Sequence, residues 1–180
     1  MKYLFILVFC TVSLLALEKL NLEDDSLSSE TRTLLESIKR YGIKMGSGEK
    51  STNFIFVDPM CPFSRKYITL LSTNKSVLDK NTYYIFLHKL PKYDSDALTQ
   101  YIHESKNPLE TLTKIMVENE EVTPKTCDLS KKELEKKSTI SSVAKKLNIE
   151  IRPYIMEFEK GSKYCLVSSG SAPCMEEYDF

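Results

Sequence analysis

The sequence lacks the signatures of several common functional classes. It has no basic block with interleaved aromatic residues, and its 25 basic residues balance 25 acidic ones, so we expect no nucleic-acid partner. It also has no glycine-rich phosphate loop, no nucleophile elbow and no paired-carboxylate signature. Its two histidines, His88 and His103, stand in no metal-ligand spacing and with no matching carboxylate pattern. We therefore predict no metal site and no other cofactor.

The first residues of the chain have the pattern of a secretory signal peptide. A lysine at position 2 precedes the apolar run 3–17, and charge returns at Glu18 and Lys19. This run is shorter than the ~18 apolar residues expected of a transmembrane helix. We predict a signal peptide over residues 1–16, with cleavage after Ala16, and export of the mature chain. The alternative is that residues 3–17 remain as a membrane anchor.

Cleavage would remove Cys10 and leave four cysteines, Cys61, Cys127, Cys165 and Cys174. An exported protein occupies an oxidising space in which disulfides are permitted. Four cysteines allow three full pairings, and the sequence alone does not choose among them. We favour a local disulfide between Cys165 and Cys174, which flank a turn-rich stretch and would staple the tail to the last strand. The rival pairing joins Cys127 to one of these two.

The hydrophobic pattern predicts one α/β domain. A chain of 180 residues with 42% hydrophobic content can bury one sizeable core. The predicted order after an N-terminal helix is strand, helix, strand, a charged helical insertion and a β-hairpin. This order is the outline of a thioredoxin-like fold. We place the N-terminal helix and linker at 17–50, the thioredoxin-like domain at 51–180, and its helical insertion at 94–147.

The stretch "FIFVDPMCPFSRKY" carries the candidate chemistry. It reads as a buried strand followed by a helix that begins near Cys61. Free amides and the dipole at a helix N-terminus favour a thiolate, which is the nucleophile in disulfide exchange. Pro62 suits the first helical position, Phe63 offers an apolar face, and we expect the Ser64 hydroxyl to donate a hydrogen bond to the sulfur. The alternative is an inert cysteine that packs as a small hydrophobe.

Pro153 supplies the second clue. It follows the last predicted helix and opens the hairpin "IRPYIMEFEKG". In a thioredoxin-like domain that position holds a cis-proline that faces the active-site cysteine. The alternative is an ordinary trans-proline at the start of an edge strand. Its place in the predicted order of elements favours the cis form.

These segments together resemble the periplasmic thioredoxin-fold disulfide isomerases of the DsbC/DsbG type. "FIFVDPMCPFSRKY", "HKLP" with "DSDA", "PKTCD" and "AKKLNIEIRPYIMEFEKG" follow the order of the family's motifs from about Ser51 to Gly161. The resemblance implies a periplasmic protein, or an inner-membrane one if residues 3–17 stay attached, that acts on exported cysteine-containing proteins. It implies catalytic roles for Cys61 and Ser64. The implied substrate-binding residues are Pro62, Phe63, Arg152 and Pro153.

The sequence also departs from the family's pattern. Ser64 replaces the second active-site cysteine, the usual partner of Cys127 is missing, and the dimerisation domain is not apparent, so no oligomer is implied. Arg152 stands where a small or β-branched residue is typical. We expect its charge to lie beside the sulfur, favour the thiolate and select acidic substrates.

A single cysteine narrows the expected activity. Without a second active-site cysteine, Cys61 cannot leave a mixed disulfide by forming an intramolecular disulfide. A substrate thiol or a small thiol can resolve the mixed disulfide instead. The expected protein is therefore a monothiol isomerase, or a reductase assisted by an external thiol or an unknown redox partner. The alternative is a redox-inactive chaperone or an assembly module of an envelope or secretion system. A glutathione-linked peroxidase or transferase has no support beyond the lone cysteine.

Overall fold

The structure is a computed structural model that describes residues 29–124 and 129–170. The predicted signal peptide and its alternative as an anchor, together with Cys10, Cys127 and Cys174, lie outside these ranges. Within them, no helix is long and apolar enough to cross a membrane.

The described chain alternates between helices and short strands. A helix α1 covers residues 29–38 and continues into a single 3₁₀ turn, Lys39–Tyr41. The other helices are α2 (Pro62–Thr73), α3 (Lys75–Lys80), α4 (Asp96–Glu104), α5 (Pro108–Met116) and α6 (Lys131–Lys146). The strands are β1 (Ile43–Met45), β2 (Ser51–Val57), β3 (Asn81–Leu87), β4 (Tyr154–Glu159) and β5 (Leu166–Ser169).

The strands form one mixed sheet in the order β1-β3-β2-β4-β5. Strands β2 and β3 are parallel and are joined through α2 and α3, which gives the predicted strand-helix-strand unit. Strand β4 runs antiparallel to β2, and β5 completes the predicted hairpin. At the centre, Ile55 of β2 is paired with Ile85 on one side and Ile155 on the other. The predicted α/β class is confirmed.

The two faces of the sheet bury separate apolar clusters. Alternate side chains of a strand point to opposite faces, so Ile55 and Val57 lie on one face and Phe54 and Phe56 on the other. The first face packs on helices α2, α4 and α5, through Ile68, Leu71, Ile102, Leu112 and Ile115. The second packs on α1 and α6, through Leu35, Ile38, Ile140, Val143 and Ala144. Burial on both faces explains why β2 is an almost continuous apolar run.

The sheet extends into the segment that the sequence assigned to a linker. Strand β1 pairs antiparallel with β3 and buries Ile43 and Met45. The following "GSGEK" segment is also fixed, because Gly48 N donates to Asn81 O (3.3 Å) and Lys50 N donates to Lys80 O (2.8 Å). A three-residue strand offers too little alternation to be recognised from its sequence. The sheet therefore begins at Ile43, inside the range 17–50 that the sequence assigns to the N-terminal helix and linker, and the domain bounds stay a prediction.

Gly48 gives a test of this close packing. A Cβ on Gly48 would lie 1.9 Å from the carbonyl carbon of Lys80. We expect Gly48→Ala to lower the free energy of unfolding by about 3 kcal/mol, because the backbone of β3 would have to shift. Gly161→Ala is the control. A Cβ there meets nothing within 4 Å, so only its positive φ of +82° opposes the substitution, at about 1 kcal/mol. Equal losses in urea denaturation would contradict the packing at Gly48.

Candidate functional site

Cys61 is the N-cap residue of α2 and directly precedes Pro62, the first helical residue. Its amide donates to Asp58 O (3.0 Å), and its carbonyl accepts from Arg65 N (3.0 Å). Proline suits this place because the first amides of a helix have no partner inside the helix. The sulfur therefore lies at the positive end of the helix dipole. The Cys61 residue is only 1% exposed.

The turn before Cys61 is held by the carboxylate of Asp58, which is fully buried. Its Oδ1 accepts a hydrogen bond from Met60 N (2.8 Å), and its Oδ2 accepts one from Leu90 N (2.6 Å). The second bond reaches the segment after β3, which is also fixed by His88 N donating to Val57 O (2.8 Å). The parallel strands β2 and β3 end at the same edge of the sheet, so one side chain can bond to the segments that follow both strands. Sequence reasoning did not place Asp58 in the site, although an acidic residue at the end of a buried strand was a usable signal.

The backbone of the α6–β4 loop faces the sulfur. Cys61 Sγ lies 3.8 Å from the carbonyl oxygen of Arg152, within donating distance for a thiol. The peptide bond between Arg152 and Pro153 is cis, and Pro153 is buried. Of the predicted site residues, Arg152 therefore meets the sulfur through its carbonyl oxygen and Pro153 follows it directly in the chain, whereas Phe63 is exposed to solvent.

The rim of the site is apolar and exposed. Met60 and Phe63 flank Cys61 in the chain and are 41% and 43% exposed. Ile151, next to Arg152 in the loop, is 54% exposed, and Pro62 is exposed as well. Large apolar side chains left in solvent beside a polar group are typical of surfaces that bind another molecule.

Ser64 does not make the expected bond to the sulfur. It is fully buried, and its Oγ accepts a hydrogen bond from Asp58 N (3.2 Å). Among the described residues, no hydrogen bond joins Ser64 to Cys61. A helical side chain leans toward the N-terminus, and here that direction brings the hydroxyl to the amide that follows β2. Ser64 therefore supports the turn that presents Cys61.

The Arg152 side chain is directed into the protein and is only 4% exposed. Its Nε donates to His88 O (3.1 Å), and its Nη1 donates to Ile149 O (3.3 Å) and Ile151 O (2.7 Å). Burial lowers the pKa of Arg152 to about 10, although the nearby charges of Asp58 and Cys61 act to raise it. The prediction that this side chain meets acidic substrates is wrong, because its charged group is turned away from solvent. The sequence named the residue but could not give its direction.

His88 lies behind the site and is kept neutral. Burial, and then the positive charges of Arg152 and Lys137, lower the pKa of His88 to about 4. Its ring packs edge-on against Phe56, with the centroids 6.4 Å apart. The neutral imidazole of His88 therefore adds no second positive charge close to Arg152.

His103 has a carboxylate partner that sequence reasoning missed. Its Nδ1 lies 2.7 Å from Glu133 Oε1, and both side chains are almost fully buried. The pair joins α4 to α6. The two residues are thirty positions apart on different helices, so no local pattern could show the contact. Among the described residues no cluster of three or more metal-binding side chains occurs.

Cys165 has no disulfide partner within the described ranges. Burial, with the charge of Glu157, raises the pKa of Cys165 to about 11, so its thiol stays protonated at neutral pH. The predicted pairing with Cys174 and the rival with Cys127 both involve residues outside those ranges, and they remain predictions.

Comparison with known proteins shows the fold. The chain matches no protein-family model and no curated protein. It is similar to the solved structure of a disulfide interchange protein from Neisseria gonorrhoeae, with 19% identity and a TM-score of 0.53 over 77% of this chain and 93% of that one. A linker-deletion mutant of ScsC from Proteus mirabilis is similar with 15% identity and a TM-score of 0.60 over 88% and 83%. BcfH from Salmonella enterica Typhimurium is similar with 11% identity and a TM-score of 0.58 over 97% and 87%.

These similarities define the class of fold. At such identities a structural likeness establishes architecture and not activity. The mixed five-stranded sheet and its flanking helices are those of a thioredoxin-like fold, as the sequence predicted. The similar structures that share this fold include a disulfide interchange protein and ScsC.

The two bonds of Asp58 lead to a stability prediction. In Asp58→Asn, one side-chain oxygen remains to accept a hydrogen bond, and the negative charge near Arg152 is lost. We expect the free energy of unfolding to fall by about 3 kcal/mol, because one of the two amides loses its acceptor and the buried Arg152 loses a nearby negative charge. Asp94→Asn, at an exposed position, should stay within about 0.5 kcal/mol. Urea denaturation compares them, and a small loss in Asp58→Asn would mean that the carboxylate does not hold the turn.

His88 leads to a pH prediction. A folded-state pKa of about 4, below the ~6.5 of an unfolded histidine, means that the unfolded chain binds the extra proton first. Stability is therefore complete above about pH 6.5 and is lost as the pH falls toward about 4. His88→Gln should show a shallower fall over this window in urea denaturation at stepped pH. Parallel curves for the two proteins would contradict a buried neutral His88.

Proposed function

We propose that this chain is an exported thiol–disulfide exchange protein of the DsbC/DsbG type that uses Cys61 alone. One observation carries the proposal: Cys61 caps α2 and places its sulfur against the Arg152 carbonyl, next to a cis-proline. The thioredoxin-like fold, and a similar structure described as a disulfide interchange protein, support it. The proposed substrates are cysteine-containing exported proteins.

The reaction begins with Cys61 as a thiolate, the form of a cysteine that attacks disulfides. The thiolate attacks one sulfur of a substrate disulfide, forms a Cys61–substrate disulfide and releases the other substrate sulfur as a thiolate. For isomerisation, another thiolate of the same substrate attacks the substrate sulfur of the mixed disulfide. A new substrate disulfide forms and Cys61 leaves as a thiolate, so no net electrons are transferred.

Net reduction needs an external small thiol of the glutathione class. One such thiol attacks the Cys61 sulfur and releases the substrate as a thiol. A second thiol attacks the resulting mixed disulfide at the external thiol's sulfur and frees Cys61. The two external thiols leave as a disulfide and carry away the two oxidising equivalents of the substrate bond.

Substrate binding is assigned to the backbone and the apolar rim. The backbone around Arg152 and Pro153 would pair with an extended substrate chain, as in β-strand addition. Pro62 and Phe63 on α2, with Ile151 on the loop, would contact apolar residues of the substrate. Ser64 would keep the turn at Asp58 in place and thereby present the sulfur.

Covalent trapping tests the proposal. Without a resolving cysteine, the mixed disulfide should persist when neither an external thiol nor a second thiol on the bound peptide is present, as with a disulfide that joins two single-cysteine peptides and with the released peptide removed. The full chain, first reduced, is mixed with a peptide disulfide, and the adduct is located by mass spectrometry. We expect an adduct on Cys61 in the wild type and in Cys165→Ala, and none in Cys61→Ala. An adduct on Cys165 alone, or no adduct, would contradict the proposal.

The burial of Cys61 favours a second candidate function. A sulfur in a residue that is only 1% exposed must be uncovered before it can react. If the site is a relic, the domain is a chaperone or an assembly module of an envelope or secretion system. The apolar rim of Met60, Phe63 and Ile151 would then bind partners without a covalent step. Binding of an unfolded polypeptide that Cys61→Ala retains in full, with no adduct in the wild type, would favour this function.

A further inference from the structure

We propose that Arg152 is a positioning residue whose buried side chain fastens the α6–β4 loop to the end of β3 and so fixes the Arg152 carbonyl opposite the Cys61 sulfur. In this role the Arg152 side chain holds the loop and does not contact the substrate. The proposal rests on the proposed exchange reaction at Cys61. It follows from the direction of the guanidinium, its three carbonyl partners and its near-complete burial.

The guanidinium bridges two segments that are distant in sequence. Its Nε donates to His88 O (3.1 Å) at the exit of β3, sixty-four positions away. Its Nη1 donates to Ile149 O (3.3 Å) and Ile151 O (2.7 Å), within the loop itself. The bond to Ile149 O is buried and the other two are part-buried. A buried carbonyl outside a helix or sheet needs such a donor, because little water reaches it. One planar group therefore pairs the carbonyls that shape this loop.

The same end of β3 also positions the cysteine. His88 N donates to Val57 O (2.8 Å), and Leu90 N donates to Asp58 Oδ2 (2.6 Å). Asp58 in turn holds the turn that leads to Cys61. The Cys61 sulfur and the Arg152 carbonyl are thus both positioned by the segment after β3. Arg152 is the residue that bonds the α6–β4 loop to this segment.

An arginine suits this place better than a lysine. Its fork of N–H groups is fixed in one plane and can serve several carbonyls at once, whereas a lysine has one nitrogen on a flexible stem. The positive charge is favoured by the nearby negative charge of Asp58, and the neutral His88 does not oppose it. A lysine would keep the charge but lose the simultaneous bonds to two segments.

The loop matters most for substrates that contain a peptide chain. An extended substrate would pair with the backbone at Arg152 and Pro153, so a displaced loop weakens its alignment with the sulfur. A small disulfide, with no peptide backbone, gains nothing from that pairing. The positioning role therefore predicts a loss that depends on the substrate.

The experiment measures exchange by the reduced full chain with two probes. One probe is a peptide disulfide and the other is bis(2-hydroxyethyl) disulfide. Arg152→Met keeps much of the side-chain volume and removes the donors, and Arg152→Lys keeps the charge. Arg65→Met is the matched control, because Arg65 bonds Pro59 O (2.7 Å) near the cysteine but does not touch the loop. Hydrogen exchange of residues 88–90 and 149–153 is followed in each protein.

We expect both Arg152 variants to react with the peptide disulfide more slowly than the wild type, by roughly tenfold to a hundredfold. Their reaction with the small disulfide should be nearly unchanged, and amides of the loop should exchange faster. Arg65→Met should keep the wild-type ratio between the two probes.

Three outcomes would overturn the role of Arg152 while leaving the proposed function intact. They are equal losses with both probes, full rescue by Arg152→Lys, or wild-type rates and loop exchange in Arg152→Met. A wild-type chain that reacts with neither probe would instead overturn the proposed function, and the positioning role with it. A variant that fails to fold is recognised by protection lost throughout the chain, and Arg152→Lys then carries the comparison.

Discussion

The carboxylate of Asp58 is the constraint on which the site depends. It is buried, it accepts hydrogen bonds from the amides of Met60 and Leu90, and its negative charge acts to raise the pKa of Arg152. Three segments that are far apart in the chain therefore meet at one anion. A buried charge is tolerated only where hydrogen bonds and an opposite charge replace its water, and this turn supplies both. The Cys61 sulfur is positioned as a consequence of how that anion is satisfied.

The sheet supplies the frame for this arrangement. Strands β2 and β3 run parallel and release their chains at the same edge, while β4 enters there from the opposite direction. Apolar clusters on both faces keep these strands from moving relative to one another. The turn at Asp58, the His88 carbonyl and the loop at Arg152 are then held within hydrogen-bonding distance. The close-packed hydrophobic layers beneath this edge fix the positions of its polar groups, so their hydrogen bonds can form in one defined arrangement.

The sequence predicted the parts of the fold that have long patterns. Strand β2 ends in the apolar run 54–57, α2 follows a cysteine with a proline at its first position, and the hairpin has its turn at Gly161. It did not reveal β1, because three residues carry too little periodicity. It also missed the pair of His103 and Glu133, which exists only once α4 and α6 pack together.

The candidate site likewise contains features that the sequence predicted and features that it did not. The sequence identified Cys61, Pro153 and Arg152, because residue type and order along the chain carry that information. It misjudged the partner of Ser64 and the direction of Arg152. Both details depend on which buried amides and carbonyls still lack a hydrogen-bond partner once the secondary structure has formed. Only the three-dimensional structure shows which groups these are.

The burial of Cys61 also bears on chemical damage. A thiolate without a neighbouring cysteine has no internal route back once an oxidant adds oxygen to its sulfur, because a sulfenic acid is normally recovered by condensing with a second thiol. Ser64 cannot provide that thiol. The folded chain leaves only 1% of Cys61 exposed, so small oxidants meet the sulfur rarely. Enclosure therefore acts as chemical protection that a site with two cysteines would not need.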